Sequence, residues 1–316
     1  MTWLAFAAAA VCVAIWGGTP VATKIAVAEM DPVLVGMLRT VVALPLVVLL
    51  LAVRRPPAPR GGRQWLSVMV VGFGSFVAFP VLFSLGQIRT SAAHGGLILA
   101  MLPVVTGIYA AVAERRLPTR LWVVGAAIAV AGEVALIGAR GDLAGGEASL
   151  AGDLLVLLSA LSAPLGYVAG ARLARAMGTA AVTYWSVAVA GVLLLPAAGV
   201  IALELDWRAV SAGAWAGVLY LAVGATVVCY LLWYWALNVG GVVRVSTMQF
   251  VQPVVSVVLA VVMLGEALTG PLVASAAVIV FGVALCQGEA LTGPLVASAA
   301  VIVFGVALCQ RPRKHP

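Results

Sequence analysis

The sequence predicts an all-α integral membrane protein with ten transmembrane helices, arranged as two inverted five-helix repeats plus a duplicated extra helix at the C-terminus. Three observations predict this fold. The 316 residues are 64% hydrophobic and 9% charged, with a mean hydropathy of +1.17, which is more apolar surface than a water-soluble domain can bury. The apolar residues form ten continuous runs, and prolines and glycines recur at matched spacings in the two halves of the chain.

The matched spacings indicate an internal repeat. Pro103 and Gly132 are 29 residues apart in the first half, as Pro253 and Gly282 are in the second. Earlier prolines follow a similar pattern, namely Pro20 and Pro45 in the first half and Pro164 and Pro196 in the second. Each half holds an odd number of apolar runs, so the second copy must insert upside down. Inverted repeats that enclose a site near the midplane are typical of secondary transporters.

Each apolar run is long enough for a membrane crossing of about 20 residues. Backbone groups in hydrocarbon must bond within their own segment, and these runs are too continuous for barrel strands, so we predict helices throughout. The first five are expected at Trp3–Lys24, Pro32–Val53, Trp65–Ile88, Ala92–Ala113 and Leu121–Ile137. The second five are expected at Leu150–Arg172, Ala180–Leu203, Ala209–Leu237, Val242–Leu264 and Leu268–Cys286.

The predicted repeats occupy residues 1–140 and 149–287, joined by a loop rich in glycine and alanine. The segment 265–287 is followed by an identical copy at 288–310 and by a basic tail at 311–316. The positive-inside rule places short basic segments on the cytoplasmic side of the membrane. An eleventh crossing would place the tail on the side opposite to the other basic segments and so violate this rule. We therefore expect ten functional helices, with the second copy a peripheral element or an artefact of the recorded sequence.

The arginines predict the orientation. They concentrate in the second, fourth and sixth loops, whereas the alternate loops carry most of the acidic residues. The positive-inside rule places the N-terminus and the even-numbered loops in the cytoplasm, and a bacterial-type inner membrane is expected. Nucleic-acid binding is not expected, because the arginines lie in short loops and form no stripe on a folded surface.

Motifs along these helices resemble the EamA-type exporters of the drug/metabolite transporter superfamily. Helix 1 ends in Trp16-Gly-Gly-Thr19-Pro20, and helix 2 carries Leu38-Arg39-Thr40. Helix 4 runs through Pro103 to Glu114-Arg115, a pattern that helix 9 repeats from Gln252-Pro253 to Gly265-Glu266. The resemblance implies export of small metabolites by alternating access through a central cavity between the repeats, and a subgroup similar to the YddG-like amino-acid exporters. It further implies that helices 1, 3, 4, 6, 8 and 9 line the cavity, while helices 5 and 10 lie at the back and can support a homodimer.

Two helix breaks are expected at matched positions, at Pro20 in helix 1 and at Pro164 in helix 6. Such breaks free backbone groups that can face a substrate. The alternative is a tolerated kink whose backbone groups are satisfied by neighbouring helices. The matched positions favour the functional interpretation.

Polar and aromatic side chains on the expected cavity helices form the candidate substrate site. The tyrosines suit an amphipathic wall, since a buried hydroxyl needs a partner. With few charges, such a wall suits neutral or aromatic amino acids better than phosphorylated sugars. The candidates are Trp16, Thr19, Lys24, Ser84, Gln87, His94, Tyr167, Tyr220, Tyr230, Gln249 and Gln252.

Several of these side chains have an ordinary structural alternative. Lys24 can pair with a substrate carboxylate or reach out to the acidic loop that follows helix 1. For Arg39, which lies in the next helix, we favour a structural role in which its side chain donates hydrogen bonds to helix carbonyl groups. Glu133 lies about 18 Å into the bilayer core and is a candidate for proton coupling, although its helix is expected at the back. His94 can relay a proton or be a solvated residue at a helix start.

Other functions compete with transport. An intramembrane enzyme would need clustered histidines, paired aspartates or a serine with a base at membrane depth, and the sequence contains no such motif, so we expect neither an enzyme nor catalytic residues. The cysteines show no paired spacing, so no metal site is expected, nor any cofactor. A lipid or lipid-headgroup flippase, or a membrane scaffold, is the alternative to export of a small solute. The expected partners are a small-molecule substrate and membrane lipids.

Overall fold

The computed structural model describes residues 2–115, 117–138, 149–240 and 247–286, and every regular element in these ranges is a helix. Eight helices are long and apolar enough to cross a membrane, and two shorter apolar helices follow them. We number them α1 Trp3–Val27, α2 Pro32–Arg54, α3 Gly61–Gln87, α4 Ala92–Glu114, α5 Arg120–Gly138, α6 Leu150–Met177, α7 Thr179–Ala202, α8 Ala212–Ala236, α9 Val251–Leu264 and α10 Gly270–Cys286.

This arrangement confirms the prediction of an all-α membrane protein with ten helices. The outward surfaces of the helices are apolar, as for Val112 and Val262, which are 72% and 75% exposed; lipid is the solvent that accommodates such a surface. α8 begins three residues later than predicted, because Ser211 caps it by accepting from the backbone N–H of Ala214 at 3.2 Å. The duplicated segment 288–310 and the tail 311–316 lie outside the described residues.

The packing of the helices repeats when the two halves are exchanged. α2 packs against α7, α4 against α9 and α5 against α10, so each of these helices contacts its own counterpart. α1 packs against α8 just as α6 packs against α3. This pattern is expected for an inverted repeat, because the pseudo-two-fold axis relates every contact to an equivalent one.

The third helix of each half contains a π-helical segment, which the sequence analysis did not predict. The segments are Gly72–Ala78 in α3 and Tyr220–Val228 in α8. Each lies against the first helix of the other half: Ser75 donates to the carbonyl of Ala163 at 3.3 Å, and the Tyr220 hydroxyl donates to the carbonyl of Ile15. Widened helical turns of this kind are frequent at functional sites.

The two expected helix breaks differ in the structure. α1 is interrupted at Gly18, where Thr2–Gly17 ends and Thr19–Val27 begins, with Pro20 in the first turn of the second segment. α6 instead runs as one helix through Pro164, so the expected break there does not occur. A proline within a helix removes only one backbone hydrogen bond. In addition, α3 packs closely against this part of α6, with Gly74 in close contact with the carbonyl oxygen of Ser162, and this packing supports a continuous helix.

The loops that follow α1, α3, α7 and α9 share one face of the protein, which we call the odd-loop face. Side-chain to backbone hydrogen bonds join the two halves here. The carboxylate of Glu29, in the loop after α1, accepts from the backbone N–H of Ser211 at 2.6 Å and from its hydroxyl at 2.7 Å. Glu266, after α9, accepts from the backbone N–H groups of Ala92 and Ala93 at 2.6 and 2.8 Å.

The link between Glu29 and Ser211 predicts a pH dependence of stability. The Ser211 hydroxyl and then its backbone N–H hold the pKa of Glu29 below its usual value of 4.5. The link therefore stabilises the fold fully above pH 4.5 and is lost as the pH falls through the lowered pKa of the folded protein. We expect the melting temperature of the wild type to exceed that of Glu29→Gln at neutral pH, and the difference to vanish in acid. A difference that stays constant with pH would contradict this assignment.

Candidate functional site: a central cavity between the halves

A small cavity lies between the two halves. Both halves line it, through Trp16 and Thr19 of α1, Arg39 of α2, Phe79 of α3, Leu99 and Leu102 of α4, Tyr167 of α6, Tyr230 of α8 and Gln252 of α9. Helices 1, 3, 4, 6, 8 and 9 were the ones expected, and α2 adds Arg39. The cavity has room for about one water molecule, so side chains nearly fill it in this conformation.

Arg39 is the charged group of the cavity. Its side chain is only 4% exposed, its Nε donates to the Thr226 hydroxyl at 3.0 Å, and its guanidinium carbon lies 5.3 Å from the ring centroid of Phe79. Within the described residues no carboxylate pairs with it and no acceptor binds its two terminal nitrogens. A buried guanidinium with both Nη groups available is suited to a bidentate carboxylate ligand.

Arg39 was expected to bond helix carbonyls, and the structure corrects this expectation. The widened turn of α8 brings the Thr226 hydroxyl to Nε, while Thr226 itself donates back to the carbonyl of Leu221 at 2.9 Å. The guanidinium is thereby held at the cavity wall rather than at a helix end. A side chain fixed on a rigid helix by one bond retains its remaining donors for a ligand.

Aromatic rings form one wall of the cavity, centred on Tyr230. Its ring centroid lies 5.6 Å from that of Trp16, 4.8 Å from that of Phe76 and 6.1 Å from that of Tyr167. The Trp16 indole N–H donates to the carbonyl of Ala225 in the π-helical segment of α8 at 2.9 Å, which fixes the orientation of the ring. Such a wall provides apolar contact area with edge-to-face geometry.

The cavity lining also contains polar, uncharged side chains. Thr19 and Gln252 are buried, at 2% and 9% exposed, and the Thr19 hydroxyl has no hydrogen-bond partner within the described residues. A buried hydroxyl without a partner is costly and is usually satisfied by water or by a ligand. Thr19 and Gln252 can therefore accept from a bound ammonium group or from water.

The structure brings five of the eleven predicted substrate residues to the cavity: Trp16, Thr19, Tyr167, Tyr230 and Gln252. The remaining six do not line it. Tyr220 binds the backbone of α1, Ser84 and Gln87 are buried in α3, and His94 is buried at the start of α4. Gln249 is half-buried in the turn before α9.

Lys24 takes neither of the two roles that the sequence left open. Its Nζ donates to the carbonyls of Gln87 at 3.0 Å and of Thr90 at 2.8 Å. These groups lie where α3 ends and the loop to α4 begins, so Lys24 neutralises free carbonyl groups at a helix C-terminus. In this conformation it is directed at neither the cavity nor the acidic loop.

Glu133 lies on α5, away from the cavity. It is 4% exposed, and both carboxyl oxygens lack a hydrogen-bond partner within the described residues. Its neighbour Gly132 lies against Ile279 of α10, so this part of α5 forms the back of the protein. Within the described residues, no group of three or more histidine, cysteine, aspartate or glutamate side chains could hold a metal ion.

Sequence reasoning missed four cavity residues, Arg39, Phe79, Leu99 and Leu102. The leucines carry no chemical signal in an apolar helix. The signal for Arg39 was its position, since a cation within a transmembrane segment is a functional candidate by default.

Comparisons with known proteins agree with this architecture. The model of the EamA-like transporter family matches residues 3–138 and 150–288, one match in each half. The uncharacterized transporter YdeK of Bacillus subtilis is 31% identical over 274 residues, covering 86% of this chain and 93% of that protein. A probable amino-acid metabolite efflux pump of Salmonella typhimurium is 28% identical over 287 residues, covering 86% of this chain and 90% of the pump.

A solved crystal structure shares the fold, with a TM-score of 0.64 at 21% identity, covering 90% of this chain and 99% of that one. The two sequence matches coincide with the two halves that enclose the cavity. On this evidence the chain is a multi-pass membrane transporter of the EamA-like family, within the drug/metabolite transporter superfamily.

Proposed function

We propose that the protein is a secondary transporter that exports neutral or aromatic amino acids by alternating access through the central cavity. The observation that carries this proposal is one cavity, lined by both halves, that contains an aromatic wall and Arg39, whose two terminal nitrogens have no hydrogen-bond partner among the described residues. A guanidinium binds a carboxylate through two parallel hydrogen bonds, and the rings accept an apolar side chain. The similarity to a probable amino-acid metabolite efflux pump supports the same class of substrate.

The small volume of the cavity supports alternating access as the mechanism. A cavity with room for about one water must widen before a solute enters, and the halves contact each other through equivalent helix pairs. Exchanging the conformations of two equivalent halves opens the opposite face around the same site. The positive-inside rule further supports a bacterial-type inner membrane with a cytoplasmic N-terminus and the odd-loop face outside.

The proposal is tested by counterflow in proteoliposomes. Vesicles preloaded with one unlabelled amino acid at a time are diluted into its labelled form, and transient uptake is compared with that of protein-free vesicles. We expect uptake for neutral and aromatic amino acids. Corresponding amines, which lack the carboxylate, should give none, because they leave the Arg39 guanidinium buried and unpaired.

The same vesicles distinguish the alternative. A lipid-headgroup flippase would move a fluorescent phospholipid between leaflets and give no counterflow of amino acids. That combination would contradict the proposed function.

A further inference from the structure

A buried acid and base join the two halves near the odd-loop face, outside the cavity. Nε2 of His94, on α4, lies 3.8 Å from Oδ2 of Asp153, on α6. Neither residue has any exposed surface. The two residues lie in the first turns of two helices from different halves. A change in the charge of either residue therefore strengthens or weakens the contact between α4 and α6 at this face.

Further groups at this face bind the loop that precedes His94. Thr90 donates from its hydroxyl to Oδ1 of Asp153 at 3.0 Å, and its carbonyl accepts from Nζ of Lys24 at 2.8 Å. The start of α4 is tied to the second half again by Glu266. The charged residues around the pair include Lys24 from α1, Glu133 from α5, whose electrostatic neighbour is Asp153, and Glu266 from the loop after α9. Arg89, in the loop after α3, lies against Gly152 through its backbone and Cβ. The side chain that α3 contributes, Gln87, is neutral.

The attraction within the pair depends on one proton. A buried ionised carboxylate is strongly disfavoured without an opposite charge, and His94 supplies that charge only when its imidazole is protonated. Opening the odd-loop face would separate α4 from α6 and admit water to both groups. By linkage, a proton that strengthens the closed contact must bind more tightly when the face is closed than when it is open.

Polar atoms without partners lie between the pair and the cavity. Gly96, two residues after His94, lies against the hydroxyl of Ser256 and against Pro20. Ser256 is one helical turn from Gln252, which lines the cavity. The hydroxyls of Thr19 and Ser256 are buried and have no hydrogen-bond partner within the described residues. Buried hydroxyls of this kind are usually satisfied by water molecules.

We propose that His94 and Asp153 form a proton-binding site that couples closure of the odd-loop face to proton binding. The proton binds to His94 from the open odd-loop face, stabilises the closed contact with Asp153, and leaves when the opposite face opens. In the proposed export function, the step that returns the protein without the proton carries the solute outward, so solute and proton move in opposite directions. The inference rests on the proposed function for its solute, and one of its two tests does not need a solute.

The first test is accumulation driven by a pH gradient. Proteoliposomes with an acidic interior receive the amino acid that shows the largest counterflow, with the membrane potential clamped to zero. Exchange of one proton for one solute gives the wild type up to about tenfold accumulation per pH unit. Asp153→Asn, whose amide oxygen can still accept from Thr90, should lose accumulation and retain counterflow, and His94→Gln should do the same.

A matched control is Asp206→Asn, an aspartate in an exposed loop of the same face, which should accumulate solute as the wild type does. Three results would overturn the proposal. The first two are a wild type that shows counterflow but no response to the gradient, and an Asp153→Asn variant that still accumulates solute. If Glu133→Gln alone abolishes accumulation, the proton site is on α5 and the pair is not the coupling site.

The second test follows closure directly, by hydrogen exchange of peptides covering residues 88–98 and 149–156. After correction for intrinsic rates, we expect exchange in the wild type to slow by up to about tenfold per pH unit of acidification. The Asp153→Asn variant should show no such dependence. If counterflow fails for every amino acid but this dependence is present, the proposed function is wrong and the proton site stands. Corrected exchange that is independent of pH in the wild type would overturn the inference.

Discussion

Replacing Arg39 by glutamine is expected to weaken amino-acid transport more than any other single change in the cavity. Hydrogen bonds to a charged partner contribute about 1.5–3 kcal/mol, so the concentration for half-maximal counterflow should rise about 10- to 100-fold. The maximal rate should change less, because Arg39 binds the non-reacting carboxylate in the ground state as well. Counterflow measured over a range of substrate concentrations separates the two quantities.

Arg39→Lys is the informative companion variant. It keeps the positive charge but replaces a planar two-point donor by a single ammonium group, so its affinity should fall between those of the wild type and Arg39→Gln. The methyl ester of the same amino acid provides the second control. If Arg39 binds the carboxylate, the wild type discriminates against the ester and Arg39→Gln does not. Equal discrimination by both proteins would show that Arg39 has only a structural role.

Gly282→Val is expected to have the largest effect on stability. A Cβ at Gly282 would collide with the backbone of α5, where the carbonyl oxygen of Gly125 lies 2.7 Å and Cα of Ala129 lies 2.8 Å from its position. Backbone cannot rotate away as a side chain can, so α5 and α10 must separate. Overpacking typically costs 1–3 kcal/mol or more, and we expect a clearly lower unfolding temperature in detergent and less monodisperse protein.

Gly199→Val is the matched control, because a Cβ at Gly199 on α7 would have no heavy atom within 4 Å. Gly132→Val, the equivalent change in the first half, should cost less than Gly282→Val. Part of its contact is with the side chain of Ile279, which can adjust. If Gly199→Val and Gly282→Val lower the unfolding temperature equally, close packing of α5 on α10 is not what the glycine provides.

The sequence predicted the helices well and the site only in part. Hydropathy and the need to satisfy backbone groups in lipid determine where helices run, and both are local properties. The matched positions of Gly132 and Gly282 indicated the repeat, and in the structure both glycines lie in the packing of α5 on α10. Pro164 shows the limit of such patterns, since it occurs at the expected position and α6 remains continuous.

The cavity depended on information that no single segment contains. Arg39 lines it because the widened turn of α8, distant in sequence, places Thr226 at its Nε. Lys24 looked equally suited to bind a carboxylate but is held by backbone carbonyls at the end of α3. Asp153, the fourth residue of a predicted helix, gave no signal of its own, and only the structure shows that His94 of α4 lies beside it.

The sequence by itself determined that the chain crosses a membrane as two related sets of five helices. The lengths of the apolar runs and the matched spacing of prolines and glycines are properties of the linear sequence and need no tertiary structure. Only the tertiary structure decided which polar side chains meet at the centre, which one neutralises a helix end and which pair joins the halves. The physical reason is that transmembrane helices are nearly uniform in composition, so the rotation and neighbours of each helix are set by close packing against distant segments.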